Sequence, residues 1–229
     1  AGARIIIEDF LVGQEASFIA MVDGEHILPL ATSQDHKARD EGDKGPNTGG
    51  MGAYSPAPIV TPEIHEKIMD KVMRPTVTAM KNKGMPFKGF LYAGLMISAT
   101  GDIHVLEFNC RFGDPETQPI LMRLQSDLVA LCMHGVQGTL NQATAHWDPR
   151  FALGVVLAAH GYPGSYLKGK TISGTQTKLD DAKLFHAGTK LTDNAVLTDG
   201  GRVLCAVGLG DDITTAKQRA YQLASRVQF

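Results

Sequence analysis

The sequence predicts an α+β fold: an antiparallel sheet carrying helices, followed by a small β-rich carboxy-terminal domain. Three observations predict it. Short β-branched and aromatic runs are joined by hairpin signals at Asp23-Gly24 and Thr100-Gly101-Asp102, which reverse the chain between neighbouring strands. Two longer stretches, 61–83 and 117–138, hold apolar residues at helical spacing instead. After Trp147-Asp148-Pro149 the rhythm shifts to short strands separated by glycine and proline turns, which divides the chain into domains 1–147 and 148–229.

In order, residues 4–10 form a β-branched run expected to be a strand, closed by Val12-Gly13, and 15–22 reads as the next strand. Asp23-Gly24 turns the chain into 26–31 and completes a meander. Residues 32–61 are nearly all polar, Gly and Pro, a connection far longer than usual and therefore expected to be a functional loop. Thr61 is placed to cap a helix with Pro62 in its first turn, while Ile64, Ile68, Val72, Val77 and Met80 mark its apolar stripe and Pro75 its kink. Residues 89–98 and 103–109 are two arms of a hairpin. The helical stretch 117–138 is expected to break near Ser126-Asp127, where Asp127 caps a second segment. In the tail, 151–159, 183–190 and 202–209 read as strands, and a closing helix from Asp212 buries Ile213, Ala216, Ala220, Leu223 and Val227. Few ionisable residues cluster there, so a packing or gating role is expected.

At 229 residues, 43% hydrophobic and 20% charged, the chain can bury a core, which excludes disordered and collagen-like classes. A formal charge of −2 gives no basic footprint, so nucleic acid is not an expected partner. Cys110, Cys132 and Cys205 lack metal or redox spacing and are read as buried packing thiols in a reducing, cytoplasmic setting. No apolar run approaches the ~18 residues of a membrane span, and no charged-then-apolar leader opens the chain. Neither a membrane partner nor a signal peptide is expected. The chain starts without Met, almost directly in Ile5-Ile-Ile7, as expected of a segment cut from something larger.

The richest chemistry lies in Val105-Leu-Glu-Phe-Asn-Cys-Arg-Phe-Gly-Asp-Pro-Glu-Thr-Gln118. Alternation along a strand puts Glu107, Asn109 and Arg111 on one side and Leu106, Phe108 and Cys110 on the other. A carboxylate and an amide oxygen so placed suit a hard cation such as Mg²⁺, and the arginine suits a phosphate or carboxylate. The alternative is a salt-bridged edge strand with a polar face. A second segment sets Glu8 and Glu15 around an apolar-Gly bend. There, backbone groups near Phe10 and Leu11 can bond a planar heterocycle and a carboxylate can accept from ribose hydroxyls, or the acids are simply solvated at a turn. A third is the long loop, with glycines at 45, 49, 50 and 52 and cations at His36, Lys37 and Lys44. It can approach an anionic ligand closely, or serve as a surface loop. Its spacing is not that of a Walker A loop.

Taken together, these segments resemble the ATP-grasp superfamily and, within it, the phosphoribosylamine-glycine ligase family. The strings that carry the resemblance are Ile7-Glu-Asp-Phe-Leu11, Gln34-Asp-His-Lys37, Gly45-Pro-Asn-Thr-Gly-Gly-Met-Gly-Ala-Tyr-Ser-Pro-Ala-Pro58, Gly89-Phe-Leu-Tyr-Ala-Gly94, Leu106-Glu-Phe-Asn-Cys-Arg-Phe-Gly-Asp-Pro-Glu-Thr-Gln118 and Phe185-His-Ala-Gly-Thr-Lys190. The resemblance implies that ATP phosphorylates the glycine carboxylate and that the amine of 5-phosphoribosylamine attacks the acyl phosphate, a step of purine biosynthesis. It implies Mg²⁺ or Mn²⁺ held by Glu107 and Asn109, and Arg111 steadying the acyl phosphate. It implies adenine at Glu8 and the Phe10 and Leu11 backbone, and ribose at Glu15. Contacts to glycine and phosphoribosylamine are extrapolated to Lys37, Asn47, Thr48, Gly49, Gly50, Asp114 and Glu116. Residues 93–96 offer no further acidic ligand, which leaves the number of metals open.

A complete member of the family adds an amino-terminal domain and an ATP-grasp lobe with a glycine-rich cover and a phosphate-binding lysine. This chain is expected to lack both, to need that amino-terminal part as a partner, and not to complete the reaction alone. The alternatives are another ATP-grasp ligase or carboxylase acting on a different carboxylate, and a non-catalytic nucleotide-binding module. A phosphohydrolase is disfavoured because no Asp and His cluster stands ready for a second metal.

Overall fold

The computed structural model of the chain describes Ile5 and residues 7–229. The strands are β1 Gln14–Asp23, β2 Ile27–Pro29, β3 Gln34–Asp35, β4 Ala38–Asp40, β5 Lys44–Asn47, β6 Gly52–Ser55, β7 Lys88–Ile97, β8 Ile103–Asn109, β9 Phe151–Ala158, β10 Ala182–His186, β11 Thr189–Thr192, β12 Ala195–Thr198 and β13 Arg202–Gly210. The α-helices are α1 Pro62–Ile68, α2 Arg74–Asn82, α3 Thr117–Arg123, α4 Leu128–Gln137 and α5 Ile213–Ala224. The α+β class holds.

A four-stranded antiparallel sheet, in the order β2-β1-β7-β8, supports the site. Alternation sends Phe18, Ala20, Val22, Ala93 and Leu95 to one face, where Ile64, Ile68, Met73 and Val77 cover them. Ile19, Met21 and Tyr92 point to the other face, against Ile120, Leu131 and Leu140. Helices therefore pack on both sides of this sheet. Thr61 caps α1 by accepting from the Ile64 amide, as its sequence position predicts. Between α1 and α2, Met69–Met73 forms a π-helical turn just before Pro75. The wider turn accommodates a proline that cannot donate to the preceding turn, so the expected kink takes this form. Asp127 caps α4, and Gly138 ends it in the left-handed conformation at φ 75.

The second sheet runs β10-β13-β9-β6-β3. Its strands come from both sides of the expected boundary at 147/148, so the glycine-rich segment and the tail share one sheet. α5 lies close over β13 because Gly208 and Gly210 carry no side chain there; a Cβ at either would come within 2.4 Å of the Ala216 backbone.

Several expectations change. Of the run expected as a strand at 4–10, Arg4 and Ile6 lie outside the described residues, and 7–10 form no strand. Ile7 is 88% and Phe10 94% exposed, so β propensity without a pairing partner does not make a strand here. The expected loop 32–61 contains β3, β4, β5 and β6, held as ribbons by pairing with each other and with β9. The tail strand expected over 183–190 divides into β10 and β11, and β12 pairs with β11. Cys110 is exposed and Cys132 half-buried; Cys205 alone is the buried packing thiol expected, and burial pushes its pKa up to about 12. No described helix is long and apolar enough to cross a membrane.

Candidate active site

Register across the first sheet builds the site wall. Ser17 pairs with Gly94 and Ile19 with Tyr92, while Gly94 pairs with Glu107 and Tyr92 with Asn109. Paired residues share a face, so Ser17, Tyr92, Glu107 and Asn109 stand together. The register shifts between Gly94 and Leu95 and leaves Leu106 as an extra residue in β8, a bulge that aims the end of the strand. Gly94 gives Glu107 room: a Cβ there would lie 3.2 Å from the Glu107 side chain. Asn109 Nδ2 donates to Glu107 Oε1 at 3.0 Å. That bond orients the amide so that its oxygen stands free beside a carboxylate. Glu107 is exposed and Asn109 half-buried. Among the described residues no group of three or more His, Cys, Asp or Glu is placed to hold a metal ion. Two oxygen donors on an open wall still fit Mg²⁺, which completes its shell with water and phosphate oxygens.

The strand ends at Asn109, so Arg111 does not extend the alternation as expected. Its guanidinium instead lies 5.9 Å from the Tyr92 ring centroid and donates to the Phe112 carbonyl at 2.9 Å. The ring returns Arg111 to the same wall by cation–π attraction.

Facing β1 is a polar cleft of 390 Å³ lined by Glu15, Asp35, Lys37, Asn47 and Tyr54, among others. Lys37 Nζ meets Glu15 Oε2 at 2.9 Å. Burial works against the Lys37 ammonium, but that bond and the charges of Asp35, Glu15 and Glu107 outweigh it and hold the pKa above its ordinary value. Asp35 is pushed up to about 6, first by burial and then by the Glu116 carboxylate, against the pull of Lys37. Thr48 Oγ1 donates to the Lys37 carbonyl at 2.8 Å and accepts from the Gly50 amide at 3.0 Å, which fixes the loop. A separate cavity of 370 Å³ near His160, Lys170 and Phe229 shares no lining residue with this cleft.

Not every expected residue meets here. Glu15, Lys37 and Asn47 line the cleft, but Glu8, Phe10 and Leu11 do not. Glu8 and Phe10 are exposed and Leu11 half-buried, outside any strand. Asp114 is exposed. Glu116 is 3% exposed and accepts from Ser17 at 2.9 Å on the same face as the acid–amide pair, and its charge reaches Asp35 in the cleft. Sequence reasoning passed over Asp35, Ser17 and Tyr92. Asp35 sits inside the quoted Gln34-Asp-His-Lys37 string, but its burial has no local signal.

The two-sheet frame, with an acid–amide pair on its wall and a glycine-rich ribbon beside it, belongs to an ATP-grasp protein, the class named by the profile that residues 1–117 match. A biotin carboxylase from Campylobacter jejuni shares the fold at a TM-score of 0.69 and 11% identity, over 96% of this chain and 47% of that one. More narrowly, residues 1–117 match the profile "Phosphoribosylglycinamide synthetase, ATP-grasp (A) domain" and residues 152–229 match "Phosphoribosylglycinamide synthetase, C domain". The chain belongs to the phosphoribosylglycinamide synthetase family. It is 64% identical to a phosphoribosylamine–glycine ligase of Allochromatium vinosum, over 100% of this chain and 54% of that protein. The crystal structure of the Thermotoga maritima phosphoribosylamine–glycine ligase superposes with a TM-score of 0.84 at 37% identity, over 97% of this chain and 55% of that one. The chain thus spans about half the length of the curated relatives it matches.

Proposed function

We propose that this chain forms part of an ATP-dependent carbon–nitrogen ligase that joins glycine to 5-phosphoribosylamine. The observation that carries the reading is the register that sets Glu107 and Asn109 side by side on an open sheet wall. Family membership supports the choice of substrates. In the reaction a glycine carboxylate oxygen bonds to the γ-phosphorus of ATP and ADP leaves. The amine then attacks the acyl carbon, phosphate departs with that oxygen, and the nitrogen loses a proton.

The residues divide this work. Glu107 and Asn109 would hold Mg²⁺ or Mn²⁺, which when bound supplies charge neutralisation at the phosphates. Arg111, tethered over Tyr92, is free to place its remaining donors on a phosphate or carboxylate. Lys37 is held cationic by its acidic neighbours and attracts an anionic group into the cleft. Glu15 is placed to accept from ribose hydroxyls; Asn47, Thr48, Gly49, Gly50 and Asp114 surround the amine and glycine. Glu8, Phe10 and Leu11 remain assigned to adenine by the family pattern alone.

The test is ADP release with Mg²⁺, ATP, glycine and freshly generated phosphoribosylamine. It is run on this chain and on a polypeptide of its relatives' full length, with other amino acids as a substrate panel. Release by the full-length protein that needs both glycine and the amine supports the ligase. Release driven equally well by a different carboxylate supports another ATP-grasp ligase, and binding without turnover supports a nucleotide-binding module.

A further inference from the structure

Arg202 opens β13 in the tail, and its guanidinium reaches out of the second sheet to two loops of the candidate site. Nη1 donates to the Gly49 carbonyl at 2.6 Å, the Gly50 carbonyl at 3.3 Å and the Asp114 carbonyl at 2.8 Å. Nη2 meets Asp114 Oδ2 at 3.1 Å. Three carbonyls thus share the two hydrogens of one nitrogen, while the other nitrogen holds a carboxylate. Only a planar fork can do this; a lysine offers one point of charge. The guanidinium is largely shielded, its side chain being 21% exposed.

The surroundings are built for the contact. Tyr162 OH accepts from the Gly49 amide at 3.0 Å, a second tether from the tail. A Cβ on Gly49 would come within 3.0 Å of the Arg202 guanidinium carbon, and one on Gly50 within 2.4 Å of Pro115. The two loops are therefore in contact, with Arg202 bonded to both. Gly201, just before the arginine, would drive any side chain into the Tyr162 ring at 2.3 Å.

We propose that Arg202 is a positioning residue for substrate. It locks the Gly49-Gly50 loop to the Asp114 turn, so that the tail sets the pocket for the amine and glycine without touching either. The substrate role rests on the ligase reading; the clamp between the two loops does not.

Two measurements decide it. In hydrogen exchange on this chain, Arg202→Lys lowers protection at the amides of 48–51 by about tenfold while β9 and β13 stay within about twofold. In a full-length ligase containing this segment, Arg202→Lys raises KM for glycine or phosphoribosylamine by about tenfold and leaves KM for ATP within about twofold. Tyr162→Phe, which removes the other tether and keeps the ring, shows the same pattern more weakly and stands in if the arginine variant does not fold. Unchanged exchange at 48–51, rescue of KM by lysine, or an equal rise for all three substrates overturns the proposal. If no full-length protein shows ligase activity, the ligase reading fails and the exchange pattern alone decides the clamp.

Discussion

Ser17 Oγ donates to Glu116 Oε1 at 2.9 Å, joining the first strand to the turn below the site across 99 positions of sequence. Tyr92 OH lies 2.9 Å from the same serine oxygen. Since the one serine hydrogen is spent on Glu116, Tyr92 is the donor, and a relay of three buried groups ends on a carboxylate that is 3% exposed.

Removing its middle member strands an acid. Ser17→Ala is expected to cost about 1–3 kcal/mol in urea unfolding, the desolvation penalty of a buried polar group left short of a partner. A loss below about 0.5 kcal/mol would mean that Glu116 finds another donor.

Asp35 makes stability depend on pH. Its folded pKa is about 6 against an ordinary 3.8. The folded state thus binds the proton more tightly, and the stabilisation present at low pH is lost as pH rises from near 4 through about 6. Asp35→Asn removes that loss: the variant matches the parent near pH 4 and exceeds it by roughly 2 kcal/mol near pH 7. Parallel unfolding curves across that range would contradict the assignment.

Asp23 has the opposite sign. Burial pushes its pKa up, but hydrogen bonds from the His26, Glu25 and Leu140 amides and from the His26 ring outweigh that and hold it near 2. Its stabilisation is complete above the ordinary carboxylate value of 3.8 and disappears as pH falls toward 2. The side chain is 1% exposed, and Asp23→Ala leaves its amide donors unpaired, at a cost of about 2–3 kcal/mol near neutral pH. The difference between variant and parent shrinks below pH 4 in acid titration of the fold.

Metal affinity tests the wall itself. Glu107→Gln is expected to weaken Mn²⁺ binding in the presence of ADP by about tenfold or more, read by electron paramagnetic resonance. Gly94→Ala, whose Cβ would press on Glu107 at 3.2 Å and Tyr92 at 3.3 Å, weakens it about threefold by displacing the carboxylate. Equal affinity in all three proteins would remove Glu107 from the site.

Much of this was legible because period-2 alternation is local. Glu107, Asn109 and the hairpin arms follow from it, and the cap residues Thr61 and Asp127 are equally local signals. Arg111 reaches the Glu107 and Asn109 wall by way of Tyr92 and not by strand alternation, because nothing in its neighbours announces where pairing stops, nor that Leu106 bulges. β3 and β6 escaped notice because strands this short exist only through their partners: β3 pairs with β6, and β6 with β9 more than 90 positions further on. Arg202 was silent for the same reason: its acceptors lie 153, 152 and 88 positions away. Residues 7–10 of the run expected at 4–10 show the converse, β propensity that forms no strand.

Isotope transfer tests the central claim, carboxylate activation on this wall, most directly. A full-length polypeptide containing this segment is given glycine carrying ¹⁸O in its carboxylate, with ATP, Mg²⁺ and phosphoribosylamine, and the released phosphate is analysed by mass. The account predicts one ¹⁸O per phosphate, and loss of both release and label in Glu107→Gln. Product formed with unlabelled phosphate would contradict an acyl phosphate and the role given to the Glu107 and Asn109 wall.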